Sequence, residues 1–364
     1  MRKLLLNLHL YLSLTAGVFV IILGVTGSIM AFETELDHLF HHRLTYVAPQ
    51  AKALSLAEIG AAVLKTFPGE RIRAYTLSTS PNISYQVGTG QGAVYVNQYT
   101  GEILGIQKGP DSVSNALNFI HQFHMRLAIR NQTNTGEEII KWVDVVILFL
   151  LLSGLYLWWP AKRVTIRKGA SSRRFWFDVH NTVGFFSLAF LLTLAITGAI
   201  IGFEETTTPW FYKITGTRPY IVYNRATRFD VTPPADAKPI TPDQAIEVAR
   251  AALPGAAPFS INVPGPKDVY FIRARYPEDL TGGGRSQVIV DQYSGKALAA
   301  EGSQTAPAGS RIITTNRAIH TGDILGIPSK VIMSLASLTL LAQLVSGVLM
   351  WWKREGKKRK AAAA

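Results

Sequence analysis

Four apolar runs punctuate the chain, at residues 4–32, 139–159, 175–203 and 331–352. Each reaches the roughly 20 residues that an α-helix needs to cross the hydrocarbon core of a bilayer, so the pattern predicts four transmembrane helices. The two long segments between them follow other periods. In Leu54-Ser55-Leu56-Ala57-Glu58 through Phe67-Pro68-Gly69, and in Ile240-Thr241-Pro242-Asp243-Gln244 through Leu253-Pro254-Gly255, a Ser or Thr precedes apolar residues at helical spacing and Pro-Gly follows them. These are the start and stop signals of a short helix. Val96-Asn97-Gln98-Tyr99-Thr100-Gly101 and Val290-Asp291-Gln292-Tyr293-Ser294-Gly295 each have the form of a strand entering a tight turn, with Gly where positive φ costs least. Each long segment is expected to hold one small α+β module.

The whole pattern occurs twice. Residues 8–33 lie over 179–204 at a constant offset of 171, which superposes His9 on His180, Thr26-Gly27 on Thr197-Gly198 and Phe32-Glu33 on Phe203-Glu204. The capped helices match at an offset of 186 and the turns at 194, a drift explained by the glycine-rich insertion near 277–284. The closing helices match at 193, Ser153-Gly154 and Trp158-Trp159 lying over Ser346-Gly347 and Trp351-Trp352. Each half crosses the membrane an even number of times. The halves therefore share one orientation, as a parallel repeat about an axis along the membrane normal, and corresponding residues lie at equal depth.

The formal charge of +13 matters for where it sits. Arg2 and Lys3, the loop residues Lys162, Arg163, Arg167, Lys168, Arg173 and Arg174, and the tail residues Lys353, Arg354, Lys357, Lys358, Arg359 and Lys360 share their segments with only Asp178 and Glu355. Such flanks stay on the cytoplasmic side, so the excess is a topology signal and no nucleic-acid partner is implied. The expected order is helix 1 (1–33), a periplasmic module (34–138), helix 2 (139–159), a cytoplasmic loop (160–174), helix 3 (175–203), a second periplasmic module (204–330), helix 4 (331–352) and a cytoplasmic basic tail (353–364). The first apolar run is too long for a signal-peptide core and lacks an A-x-A site, which favours a retained anchor. The chain has no cysteine. That excludes disulfides, thiolate zinc sites, iron–sulfur clusters and covalent haem attachment, and leaves His, carboxylate or Met to hold any metal.

Taken together, the T-G helix that ends in Glu33 or Glu204, the outer helix closing in P-G, the V-[ND]-Q-Y-[TS]-G turn and the S-G-x-x-x-W-W helix resemble the PepSY-associated transmembrane family over essentially the full chain. Within that family the resemblance is to the inner-membrane, haem-containing siderophore-iron reductases. The fold this implies is an α-helical membrane protein with four transmembrane helices in two parallel repeats, plus two small α+β PepSY-like periplasmic modules. The function it implies is haem b held between the transmembrane helices of a bacterial inner-membrane protein, with electrons passed outward to an iron chelate in the periplasm.

The histidines suit that chemistry. His9 and His180 each lie about one and a half helical turns inside the inward end of a span, at equal depth, where an ionisable side chain is functional by default. Facing each other across the pseudo-axis they would supply the two axial imidazoles of a six-coordinate haem. The alternative is a pair of interfacial histidines bonded to head groups or backbone. A second pair precedes the second and fourth helices: His124 in Asn118-Phe119-Ile120-His121-Gln122-Phe123-His124-Met125-Arg126, and His320 in Arg317-Ala318-Ile319-His320. His121 shares a helical face with His124 and is the alternative ligand there, while Arg126 and Arg317 could bind haem propionates. Surface histidines on an amphipathic segment are the competing account of this pair.

Other polar residues call for plainer explanations. His38, His41 and His42 have Pro209, Tyr212 and Lys213 as counterparts, and a solvated interfacial run is expected ahead of contact with a substrate metal. Glu33 and Glu204 are expected to cap the interface or to bond the outer modules. Asp144, three residues after Lys141 and opposite Ser337 in the repeat, is expected to form a local ion pair with Lys141. Gly17, Gly24, Gly27, Gly184, Gly198 and Gly202 would let a macrocycle or a neighbouring helix approach.

Two bis-histidine haems b, one near each face, would form an electron conduit to a ferric siderophore or other iron chelate, whose hard oxygen donors hold iron(II) less strongly than iron(III). No G-x-G-x-x-G follows a strand, and the inward segments are too short for a nucleotide-binding domain. A quinol or a separate reductase is therefore the expected electron donor, and membrane lipid the expected surroundings. The sequence singles out no catalytic residue beyond the ligands. The competing functional class is a cofactor-free, membrane-anchored PepSY protein that binds a partner or regulates a protease.

Overall fold

In chain order, α1 (Arg2–Met30) is followed by α2 (Glu33–Phe40), α3 (His42–Thr45), α4 (Leu56–Thr66), β1 (Ala74–Thr76), β2 (Tyr85–Gly88), β3 (Ala93–Val96), β4 (Ile103–Gln107), α5 (Ser112–Arg126) and α6 (Thr135–Trp158). The second succession is α7 (Ser172–Gly202), α8 (Glu204–Thr215), α9 (Pro242–Ala252), β5 (Ala257–Asn262), β6 (Tyr270–Arg275), β7 (Ser286–Val290), β8 (Ala297–Glu301), α10 (Ala308–Thr321) and α11 (Ile327–Ala362). This computed structural model describes residues 1–109, 111–219, 229, 231 and 238–362. Parts of the segment expected at 204–330, the end of the expected basic tail, and the side chains of Lys357, Lys358, Arg359 and Lys360 lie outside the described residues. The chain forms two units, one of Met1–Glu33, Ala116–Thr208 and Thr315–Ala364, the other of Thr34–Asn115 and Pro209–Thr314.

The first unit is a bundle of α1, α6, α7 and α11, the four helices long and apolar enough to cross a membrane, with mean hydropathies of 2.1, 2.1, 2.2 and 1.9. The protein is a multi-pass membrane protein, and its apolar residues are distributed accordingly. Val18 and Phe186 are exposed, as lipid-facing side chains should be, while Leu191 and Ala195 are buried in the bundle. The helices outrun the apolar stretches at their ends. α6 starts at Thr135, ahead of the expected 139, because Glu137 and Glu138 in its first turn suit the positive end of the helix dipole. α1 packs against α6 and α11, and α7 packs against the same two, so α1 and α7 occupy one diagonal of the bundle.

Helices in lipid gain little from hiding apolar surface against each other, and association relies on close approach and polar contacts. The α1–α11 contact shows both. Ser28 Oγ donates to the Ser334 carbonyl at 3.0 Å, Ser334 Oγ to the Ser28 carbonyl at 3.2 Å, and Ser337 Oγ to the Gly24 carbonyl at 2.9 Å. A Cβ on Gly24 would lie 2.9 Å from the Ser337 carbonyl oxygen, which only glycine avoids.

The second unit is built on one antiparallel sheet of eight strands in the order β4-β3-β2-β1-β5-β6-β7-β8. The two meanders meet at its centre, where β1 pairs with β5 through Tyr75 and Ile261. The α+β segments expected separately thus share one sheet, which leaves neither β1 nor β5 as an exposed edge. α4 and α9 lie on the core with Ile59, Val63, Val87, Val94, Ala245, Ile261, Ile272 and Val288. Both start with the capping boxes that their sequences announce, Ser55 with Glu58 and Thr241 with Gln244. Asp243 of α9 also accepts from the backbone N–H groups of Leu56 and Ala57, at 2.7 and 3.0 Å.

The Asn/Asp-Gln-Tyr turns are structural. Gln98 Nε2 donates to the carbonyls of Pro81 and Ile83, both at 3.1 Å, and Tyr99 to that of Pro81 at 2.8 Å. Gln292 and Tyr293 do the same for Gly265, Asp268 and Pro266. Gly101 and Gly295 close the turns at φ of +74° and +67°.

His41 departs from the solvated run expected of it. Its ring is 8% exposed, with Nδ1 on Asp37 Oδ1 at 3.0 Å and Nε2 on Asp111 Oδ2 at 2.6 Å. Asp111 also accepts from the Ser114 N–H at 2.8 Å, at the start of α5. His38 and His42 instead surround Tyr46. Burial alone would lower the His41 pKa, but its bonds to the two carboxylates and their charges outweigh that and raise it. The Ser114 N–H and then His41 hold Asp111 at about 2. A raised histidine pKa contributes stability at pH values below the ordinary histidine value, and this is lost as pH rises through the folded-state value. The wild type should therefore lose more thermal stability between about pH 6 and about pH 8.5 than His41→Gln does. Parallel melting profiles of the two proteins across that range would remove the clamp as a source of pH dependence.

Candidate functional site

The bundle unit gathers four histidines in two pairs. His9 of α1 and His180 of α7 stand on the helices of one diagonal, close enough for a charge on His9 to be felt at His180. His124 and His320, in the last turns of α5 and α10, are likewise within electrostatic reach of each other. His124, His180 and His320 are half-buried.

One contact recurs at all four. His9 Nδ1 lies 2.8 Å from Ser153 Oγ, and His180 Nδ1 lies 3.0 Å from Ser346 Oγ and 3.1 Å from the Gln343 carbonyl. His124 Nδ1 lies 2.9 Å from Thr26 Oγ1, and His320 Nδ1 lies 3.0 Å from Thr197 Oγ1. His320 also meets the carbonyl of Leu194. Among the described residues the Nε2 atoms of His9, His124 and His180 have no hydrogen-bond partner.

In every case the hydroxyl residue is followed by glycine, and the imidazole rests on it. A Cβ at Gly27 or Gly198 would come within 3.1 Å of Cε1 of His124 or His320, and one at Gly154 or Gly347 within 3.4 or 3.8 Å of Cε1 of His9 or His180. The sequence marks the T-G and S-G pairs as family features and Gly27 and Gly198 as places of close approach, but does not single out Thr26, Thr197, Ser153 and Ser346 as partners of the histidines. The signal was present in the sequence, which places a Ser or Thr directly before each of Gly27, Gly154, Gly198 and Gly347.

The remaining candidates fall around this centre. His121, the alternative to His124, turns away to Glu33, with Nδ1 and Oε2 3.0 Å apart. That bond first, and the Glu33 charge after it, raise the His121 pKa against the effects of burial, Arg126 and Arg317. Arg126 pairs with Glu137 at 3.5 Å while its buried Nε has no hydrogen-bond partner among the described residues. Arg317 has no ion pair among the described residues and, like Arg126, acts on His121. Lys141 bonds Glu138, three residues earlier and one turn away on the exposed side, so the ion pair expected with Asp144 is absent. Asp144 instead brings Oδ2 within 3.0 Å of the Cβ position of Gly198, beside His320. Ser337 occupies the corresponding place at Gly27, beside His124. Asp178, a buried carboxylate two residues before His180, pairs with Arg174 of the same helix at 2.9 Å and with Arg167 of the preceding loop at 3.7 Å.

These features define a four-helix membrane protein with a histidine-lined interior. The chain belongs to the PepSY-associated TM region family, which matches residues 6–354. No curated protein matches it.

The glycine contacts differ in tightness, and substitution should show it. Gly27→Ala and Gly198→Ala should each cost about 1–3 kcal/mol, because a neighbour must yield, whereas Gly154→Ala and Gly347→Ala add a methyl group at ordinary contact distance and should melt close to the wild type. Thermal unfolding in detergent distinguishes the two classes, and equal costs at all four positions would contradict the packing.

Proposed function

We propose that this protein is a haem-b electron carrier of the bacterial inner membrane that reduces ferric chelates, such as siderophore-bound iron, on the periplasmic side. What supports this is the donor set: four imidazoles in two pairs, each engaged through Nδ1, with the Nε2 of three of them without a hydrogen-bond partner among the described residues. Metal-bound histidine has this arrangement, the far nitrogen being held by a fixed polar group. The residues fit haem b, since two imidazoles per site satisfy its axial positions and no thiolate is needed. His9 and His180 would hold one haem, His124 and His320 the other, with Arg126 and Arg317 available to propionates.

Bound there, haem iron would supply one-electron redox chemistry. The chain's own part is to hold the imidazoles in orientation, to exclude water through the surrounding helices, and to fasten the loop before α7 to that helix through Asp178 and Arg167. In the same proposal the helix–module–helix halves are parallel repeats with PepSY-like outer modules, the basic flanks Arg2, Lys3, Arg167 and Arg174 face the cytoplasm, and a quinol or separate reductase supplies electrons. Ferric chelate is the substrate, and iron(II) leaves because hard oxygen donors hold it less strongly.

Purified protein should contain two haems b. His9→Ala and His180→Ala should each remove about one equivalent, and His124→Ala and His320→Ala the other. Chemically reduced wild type should be reoxidised by ferric hydroxamates, with iron(II) appearing in a ferrous-specific colour assay, while NADH alone should leave the oxidised protein unchanged. A colourless, fully folded preparation would favour the cofactor-free PepSY binding or protease-regulating alternative.

A further inference from the structure

We propose that Ser153, Ser346, Thr26 and Thr197 are positioning residues, each fixing its histidine with the proton on Nδ1 and the lone pair on Nε2. The inference follows from counting protons. A hydroxyl has one to donate, and in all four residues a carbonyl of the same helix receives it. Ser153 Oγ donates to Leu150 at 3.2 Å, Ser346 Oγ to Ala342 at 2.6 Å, Thr26 Oγ1 to Ile22 at 2.5 Å and Thr197 Oγ1 to Thr193 at 2.7 Å. What each hydroxyl then offers an imidazole is a lone pair, and only Nδ1–H can meet it. Nε2 is then left bare in the neutral rings of His9, His124 and His180, among the described residues, and aimed away from the hydroxyl.

Back-bonding of this kind is common for Ser and Thr in helices, and Ser13, Thr15, Ser187 and Thr193 do it here without meeting a histidine. The distinction lies in convergence. The four histidines come from two kinds of element, the spanning helices α1 and α7 and the shorter α5 and α10, and each ends on a hydroxyl-glycine dipeptide of a different spanning helix. The hydroxyl selects the tautomer and the glycine lets the ring lie against the backbone. At His180 the Gln343 carbonyl accepts from the same nitrogen, so that tautomer is doubly fixed.

The tautomer stands independently of the function proposed above; its effect on iron rests on it. An imidazole whose Nδ1–H is donated is a stronger ligand through Nε2 and favours ferric iron, so loss of the hydroxyl should raise the midpoint potential of one haem. Two measurements keep the claims apart. In protein labelled with nitrogen-15 histidine and freed of haem, long-range proton–nitrogen spectra should show the Nδ1–H form for His9, His124, His180 and His320, assigned by single His→Gln variants. Thr26→Val, which keeps the side-chain shape, and Ser153→Ala should let the Nε2–H form appear at His124 and His9, and Thr26→Ser should restore the wild-type spectrum. In haem-loaded protein, Thr26→Val and Thr197→Val should each shift one midpoint upward with haem content retained. Nε2–H tautomers in the wild type, or unchanged spectra and unchanged midpoints in the hydroxyl-free variants, would overturn the assignment. Absence of haem from the wild type would defeat the functional proposal and leave the tautomer measurement to decide this one.

Discussion

A neutral imidazole takes one N–H into the apolar interior of the bundle, and that donor must be satisfied where water cannot reach it. The structure meets this demand four times with one device, a Ser or Thr whose own proton is already committed to its helix. Much else follows from it. The residue after the hydroxyl must be small where the ring lies closest, at Gly27 and Gly198, where a Cβ would come within 3.1 Å of the histidine Cε1. The partner helix must run close enough to present the dipeptide, which the bundle achieves by packing α1 and α7 each against both α6 and α11. The short helices α5 and α10 must end where His124 and His320 reach Thr26 and Thr197. α10 is followed by Gly322 at φ +78°, but α5 is followed by Leu127 and Ala128 at +54° and +56°. Side chains in that region carry a backbone cost of about 1 kcal/mol or more, accepted beside His124.

The bundle would be hard to hold together by apolar contact alone, because its outer surroundings are as apolar as its interior. Reciprocal bonds between Ser28 and Ser334, and the bond from Ser337 to Gly24, use the same small residues for cohesion that Thr26-Gly27 uses for the histidine, within one turn of α1. Packing and site are therefore inseparable along that stretch. A substitution at Gly24 or Gly27 would disturb both the α1–α11 approach and the seat of His124.

Much of this was legible in the sequence. Length and hydropathy alone indicate the four helices, and capping boxes and Pro-Gly stops announce α4 and α9, because these depend on local chemistry. The offset of 171 pairs His9 with His180 before any coordinates are known. What local chemistry does not reveal is which partner a side chain chooses among several within reach. Lys141 has Glu138 as near in sequence as Asp144, and takes the one on the exposed side. His41 looked like one of three solvated histidines, but Asp111, distant in sequence, closes over it. The pairing of β1 with β5 was also hidden, since nothing in either short strand marks it as the one that finds a partner in the other half of the chain.

The departures from symmetry carry information of their own. The hydroxyl-glycine dipeptides and their histidines are preserved in both halves, while their surroundings diverge. Beside His124 stands Ser337, and beside His320 stands the carboxylate of Asp144. Gln343 braces His180 through both its side chain and its carbonyl, and Leu150, its counterpart before Ser153, offers no such side chain to His9. In the second unit, the His41–Asp111 contact at the start of α5 has as its counterpart in form the bond between Tyr212 and Ser310, 2.7 Å, in α8 and α10. Under the function proposed above, like ligands in unlike surroundings would give two haems different potentials, because ligand identity sets the range and the adjacent dipoles and charges set the position within it.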